Sequence, residues 1–405
     1  MTDTTPAART RLSTGEFIAL IGMMFGTIAF SIDAMLPALP QIAEELTPDD
    51  LTLAQLVLTS FILGMGVGTL FTGPLSDAFG RKPVIFAGAI LYIAGSILAW
   101  AAPTLELLLA ARVLQGLGAA GPRVVAMALV RDLYTGRAMA RIMSYAMLVF
   151  TITPAIAPLI GEGIITLFDW RAIFLTYVLF SCLTVGWLML RQPETLPRGL
   201  RKRLNLSSLW AATREAMALR QMQLSILVQS LIYGALFGTL SSVQQIFDLT
   251  YDMGDAFPWL FGAVALLAAP GAPINGRLVV RLGMRPLVRR ALFLQVAAAA
   301  LFVSALMLGL PPGTEVWIYF AWTVTVFMMM GFTIGNLNAL ALEPLGHIAG
   351  ISASLMGSIS TIGGAAIGAL IGQLYDGTAL PLAVATALLA GIGGLIMRRM
   401  PREGR

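Results

Sequence analysis

Charge is scarce in this 405-residue chain: 12% of its residues are Asp, Glu, Lys or Arg, against 58% hydrophobic. Soluble domains usually carry about 25% charged residues, so water is not the main solvent of this protein. Cysteine and histidine occur once each, as Cys182 and His347. That excludes a disulfide framework, Cys/His zinc spacing and Ser-His-Asp chemistry, and no metal or cofactor is expected. Lysine occurs twice, at Lys82 and Lys202, and neither closes a GxxxxGK[ST] loop. P-loop ATP hydrolysis is therefore excluded, and uphill work has to draw on an ion gradient.

What the chain does have is apolar runs of roughly 18 to 25 residues, each long enough to cross a hydrocarbon core of about 30 Å. They place helices near 17–38, 52–75, 83–101, 104–130, 141–165 and 171–190, then near 222–245, 257–280, 288–309, 316–341, 349–373 and 380–397. The fold class is an all-α membrane protein of twelve transmembrane helices in two pseudo-symmetric six-helix bundles around a central cavity. The bundles occupy 1–190 and 221–405, joined by a polar cytoplasmic linker at 191–220. The first apolar run carries Asp33 and Pro37 and is too long for a cleaved signal peptide, so it reads as a retained helix.

The net charge of +5 does not point to nucleic acid, because the basic residues sit in short loops and the aromatics inside apolar runs. All but Arg112, Arg123 and Arg171 of the 26 basic residues fall in the N-terminal tail, the C-terminal tail or alternate loops. The other loops collect acids instead, among them Glu44, Glu45, Asp169, Asp252 and Asp376. By the positive-inside rule both termini are cytoplasmic. An internal echo supports two related halves: GPLSDAFGRKP at Gly73 to Pro83 aligns with GRLVVRLGMRP at Gly276 to Pro286.

These residues resemble the major facilitator superfamily over nearly the whole chain. GPLSDAFGRKP is similar to its signature loop, with Gly73 and Gly80 allowing close packing and a turn, and Asp77, Arg81 and Lys82 able to pair at helix ends. With Arg131 and Asp132 nearby, the resemblance implies a conformational latch for the outward-facing state. RVLQGLGAAGPR at Arg112 to Arg123 resembles the fourth-helix motif of proton-coupled members. TPAIAPLIG resembles the fifth-helix antiporter motif, with Pro154, Pro158 and Gly161, although Thr153 stands where the family has glycine. SIDAMLPALPQI at Ser31 to Ile42 and GALIGQLYDGTALPL at Gly368 to Leu382 look like the bicyclomycin and chloramphenicol resistance (Bcr/CflA) branch of drug:proton antiporters. In the second-half loop Val280 replaces the acid and Met284 the first arginine, which implies a weaker latch there.

The resemblance implies a multidrug efflux antiporter in a bacterial cytoplasmic (inner) membrane, driven by the proton gradient, working as a single chain among membrane lipids on small amphipathic substrates and protons. A metabolite exporter, facilitator or importer on the same fold stays open, as does a receptor or scaffold that transports nothing. Charge within the apolar runs narrows the site. Asp33 and Arg112 share a depth of roughly 9 to 12 Å inside the outer boundary at 1.5 Å per residue, which puts a carboxylate and a guanidinium within possible reach. Asp33 is the expected proton and substrate switch, tuned by Arg112. Gln115, one turn from Arg112, and Gln229, Tyr233, Asn336 and Asn338 in the second half are the neutral groups expected to line the cavity.

Overall fold

Proline and glycine decide where the apolar runs stop. A computed structural model of the chain describes residues 12–201, 204–309 and 311–400; Arg9, Arg11, Lys202, Arg203, Arg402 and Arg405, counted above among the loop charges, lie outside them. The first half holds α1 (Thr14–Asp33), a short α2 (Leu39–Leu46), α3 (Leu56–Phe79), α4 (Arg81–Trp100), α5 (Leu105–Leu133), α6 (Gly136–Leu167) and α7 (Ala172–Arg191). Next come α8 (Leu206–Ala218), α9 (Arg220–Gln245), α10 (Phe257–Ala268), α11 (Gly271–Leu282), α12 (Met284–Met307), α13 (Pro312–Leu342), α14 (Ala349–Gly372) and α15 (Leu380–Arg398).

Eleven stretches are long and apolar enough to span a bilayer, but one runs for 60 residues, Gly313–Gly372. At 1.5 Å per residue that is about 90 Å, three hydrocarbon thicknesses, and the helix breaks inside it where Leu345 leaves helical geometry. Split there into α13 and α14, the chain crosses twelve times. The start of α1 and the end of α15 then share a face with the arginine-rich loops, called here the basic face.

The echo motifs are structurally equivalent. Gly80 (φ 105°) and Gly283 (φ 78°) occupy the same motif position in the two halves, and each turns the chain from one span into the next in a region that a side chain rarely tolerates. One expectation is corrected. The first span is not one helix: α1 stops at Asp33, because Pro37 and Pro40 cannot donate to the preceding turn. Within the 191–220 linker Asn205 caps α8 by accepting from the Ser207 and Ser208 amides.

Packing differs sharply between the two faces. Toward the acidic face one apolar core runs through both halves, from Ile28, Leu58, Phe61 and Phe174 to Phe237, Phe247, Phe261 and Tyr319. Toward the basic face the core divides into one cluster around Phe17, Leu20, Leu129 and Leu188 and another around Met222, Leu340, Met356 and Met397. The central helices α1 and α9 show the same asymmetry. Residues 24–39 and 237–247 are buried throughout, whereas Ala19, Gln223 and Leu227 in the other ends of these helices are exposed. The halves share one core toward the acidic face; toward the basic face each keeps its own, and the exposed ends of α1 and α9 border what is called here the cleft.

Candidate functional site

The broken first span sets the site's geometry. Where α1 ends, the amide of Met35 turns back to the Ile32 carbonyl, and the Ser31 carbonyl loses its helical partner. Arg112 on α5 fills that vacancy: its Nη2 donates to the Ser31 carbonyl at 3.0 Å, its Nε to the Val57 carbonyl of α3 at 3.1 Å, and its Nη1 to Gln115 Oε1. The Tyr177 hydroxyl donates to the same Ser31 carbonyl at 3.2 Å. Gln115 Nε2 donates to Ser96 Oγ at 2.7 Å, and the Tyr92 hydroxyl meets Ser31 Oγ at 2.6 Å. The Phe61 ring lies 4.4 Å from the guanidinium carbon. Arg112 and Gln115 are wholly buried in this network.

The Asp33 to Arg112 contact, which shared depth left open, is not made among the described residues. Arg112 spends its donors on carbonyls and an amide, and among the described residues Asp33 has neither an ion-pair nor a hydrogen-bond partner, although it is 5% exposed. The link between them is indirect, through the backbone of Ser31, two residues before Asp33. A buried carboxylate with no cation and no donor costs several kcal/mol, more than an ordinary hydrogen bond returns, so Asp33 is a destabilised position.

Gly161 on α6 fits this same break. A Cβ there would stand 2.1 Å from the Ala34 carbonyl oxygen, so only glycine lets α6 close over the residue after Asp33. Pro154 and Pro158 sit inside α6, half-buried and buried. Glu162, next to Gly161, is a half-buried acid within this span that the sequence reading passed over.

Of the second-half candidates, Gln229 is 1% exposed with its Oε1 unpartnered, and Tyr233 is half-buried and stacked on Phe237 at 5.4 Å. Asn338 is half-buried. Two assignments are corrected. Asn336 donates to Asn275 Oδ1 of α11 at 2.8 Å and to the Phe332 carbonyl, so it ties helices together and does not line the cleft. Gln115 is likewise committed to Arg112 and Ser96.

A seal at the acidic face was not foreseen. Gln55 Nε2, just before α3, donates to Gln245 Oε1 at the end of α9, where the helix widens into a π-turn over Ile246–Thr250. Gln373 Nε2 donates to the Thr52 carbonyl at 2.9 Å. A Cβ on Gly372 would fall 2.2 Å from Gln55 Oε1, so the bare glycine makes room for the bridge. Nearby, Glu45 binds Arg171 at 2.7 Å and holds its guanidinium above the ordinary arginine range.

At the basic face Arg81 is 3% exposed and pairs with Asp77 at 2.6 Å and Asp132 at 2.9 Å. Lys82 Nζ donates to the Met189 carbonyl at 3.0 Å. The acid that completes this cluster was missed: the Glu194 carboxylate accepts from the backbone amides of Arg81 and Lys82, both at 3.0 Å, and so caps α4. Arg131 is exposed and, among the described residues, takes no part. These bonds join the first half to itself and to the linker that follows it, none reaches the second half, and they form while the acidic face is closed, so they brace α3, α4 and α5 and do not by themselves hold an outward-facing state. Gly73 alone reaches across, with its Cβ position 2.9 Å from Ser354 Oγ on α14. Replacing Glu194 with Ala strips the cap from two amides and is expected to cost about 1 to 2 kcal/mol, read as a lower melting temperature of the purified protein.

Comparison with known proteins agrees with this architecture. A Bacillus subtilis protein described as the uncharacterized MFS-type transporter YdgK is 30% identical over 390 residues, covering 95% of each chain. A bicyclomycin resistance protein homolog of Haemophilus influenzae is 29% identical over 378 residues, 91% of this chain and 92% of that one. The multidrug resistance protein MdtL of Escherichia coli is 36% identical over 166 residues, 41% of this chain and 42% of its own. Among solved structures, a D-xylose-proton symporter superposes with TM-score 0.74 at 14% identity over 96% of this chain and 98% of its own. The human organic anion transporter MFSD10 superposes with TM-score 0.65 at 17% identity over 96% of this chain and 100% of its own, and at these identities both matches speak to fold alone. Residues 19–369 match the Major Facilitator Superfamily model, and the chain belongs to that superfamily of multi-pass membrane transporters.

Proposed function

We propose that this transporter exports small amphipathic compounds from the cytoplasm in exchange for protons, with Asp33 as the group that alternates between them. The observation that carries the reading is the setting of Asp33: a buried carboxylate with no partner, at a break in a central helix, beneath a closed acidic face. Such a group is relieved either by taking a proton or by meeting water or a polar cargo, and those events are the two limbs of an exchange. The arginine-rich loops support a cytoplasmic basic face, which makes the cleft the cytoplasmic entrance and puts both termini inside in this reading. The resistance named in the Haemophilus and Escherichia relatives supports drugs as cargo, and a bacterial inner membrane is the location proposed with it.

In the cycle, cargo enters the cleft past Leu227 and Tyr233, Asp33 releases its proton inward, and the halves rock. The gate of Gln55, Gln245 and Gln373 then parts, cargo leaves, and Asp33 is reprotonated from outside. One carboxylate gives one proton per turnover. The protein needs no cofactor, works as a single chain among membrane lipids, and binds no nucleic acid. The deciding experiment uses purified protein in vesicles with an imposed pH gradient and an internal pH dye. Adding chloramphenicol or bicyclomycin is expected to dissipate the gradient; cargo flux without proton movement would make the protein a facilitator.

The gate has its own test. In a Cys182→Ser background, Gln55→Cys with Gln245→Cys joined by a short bis-thiol reagent is expected to reduce flux by more than about tenfold. Either cysteine alone, treated alike, should keep it. Unchanged flux in the cross-linked protein would show that this seam does not open.

A further inference from the structure

Three exposed arginines of the second half answer to nothing in the transport site. Arg289 and Arg290 at the start of α12 and Arg398 at the end of α15 are exposed and, among the described residues, none pairs with a carboxylate. They border a groove of about 630 Å³ completed by Phe293 and Leu294. A second hollow of about 360 Å³ adjoins it, sharing Arg289 and Arg398. The floor is closely packed: the Phe293 ring lies against α15 where Gly394 has no side chain, its nearest atom 3.1 Å from the Cβ position, and the Arg398 guanidinium carbon sits 5.3 Å from that ring's centre.

The groove is cationic only at its basic-face end. Moving away from that end, α12 presents Leu294 at 69% and Leu301 at 72% exposure, and α15 presents Leu395 and Leu388, also exposed. A cluster of guanidinium groups that continues into two exposed leucine tracks along neighbouring membrane-spanning helices has the amphipathic pattern of a phospholipid. Guanidinium forks match phosphate oxygens in geometry and charge, and the tracks give acyl chains a surface to lie along. A soluble anion would use the arginines and leave the leucines unexplained.

We propose that this groove binds the phosphodiester headgroup of an anionic phospholipid from the basic-face leaflet, with its chains along Leu294, Leu301, Leu388 and Leu395. With three arginines on two helices that pack together, the lipid bridges α12 and α15 at the perimeter of the second half. The site is separate from Asp33 and stands whether or not the export reading holds; only the name of the leaflet depends on orientation.

The test is native mass spectrometry of the full-length protein in detergent with dioleoylphosphatidylglycerol and dioleoylphosphatidylcholine supplied together. Wild type is expected to retain the anionic lipid at least about tenfold over the zwitterionic one, and Arg289→Gln with Arg398→Gln to bring that ratio close to one. Arg137→Gln with Arg277→Gln removes the same charge from other exposed places and should leave the ratio intact. Equal retention by wild type and the groove variant would overturn the proposal, as would an equal loss in the control. Displacement of the lipid by millimolar glycerol phosphate would also overturn it, because the groove would then be a site for a soluble anion.

Discussion

Replacing Asp33 with asparagine is expected to abolish proton-driven efflux, lowering it by more than about a hundredfold in vesicles, while the protein stays folded. Asparagine has nearly the same shape and fits where the carboxyl sits, and no ion pair is lost because Asp33 makes none. Burying a neutral amide costs less than burying an unpaired carboxylate, so the melting temperature should hold or rise. Cargo exchange down its own gradient should survive, at an affinity lowered by the missing carboxylate, because it needs no proton. The split between lost coupling and kept exchange is the signature. Proton-driven efflux at the wild-type rate would remove Asp33 from the mechanism, and loss of fold would mean that the residue is structural.

Gly116→Val is expected to have the largest effect on stability. A Cβ at Gly116 would stand 2.0 Å from the Phe61 carbonyl oxygen of α3, and across the same seam a Cβ at Gly64 would stand 2.1 Å from the Val113 carbonyl oxygen. These are backbone contacts, so no rotamer change relieves the clash and the two helices must part. One turn away, parting breaks the Arg112 bond to the Val57 carbonyl and leaves a buried guanidinium short of a partner. A loss of about 3 kcal/mol is expected from the overpacking, seen as a drop in melting temperature and in yield. Gly186→Ala on α7 is the contrast: nothing lies within 4 Å of its Cβ position, and a gain of about 0.5 to 1 kcal/mol is expected. Equal behaviour of the two variants would show that helix propensity, not the α3–α5 seam, governs stability.

The arginines explain why so much of the fold could be read in advance. Spans are recognisable because each must be apolar for its whole length, and their sidedness is recognisable because basic loops alternate with acidic ones. Gly80 and Gly283 were legible as a repeat because a sharp turn at the same place in each half needs the same residue. The site was less legible. Asp33 and Arg112 stood out as charges within apolar runs, but depth alone said nothing of direction, and Arg112 faces the freed Ser31 carbonyl. Pro37 and Pro40 were in plain view, yet only three-dimensional structure reveals which carbonyls a break releases and what takes them up. Gln55, Gln245 and Glu194 were invisible for another reason: neutral or loop-bound polar residues carry no signal until distant parts of the chain bring their partners to them. Asn336 shows the reverse error, a polar group in an apolar span that serves a neighbouring helix.

In the proposed exchange, the carbonyl-bound Arg112 also decides which part of the cycle feels the electric field across the bilayer. Its charge is permanent and has no fixed counter-ion, so the Arg112–Asp33 locus is neutral when the acid is ionised and singly positive when it is protonated. If cargo is uncharged, the export limb therefore moves no net charge at this locus. The resetting limb moves one positive charge toward a negative interior and gains up to about 2.3 kcal/mol per 100 mV. On the proposed mechanism, voltage speeds the empty carrier's return and leaves the outward stroke to affinity alone.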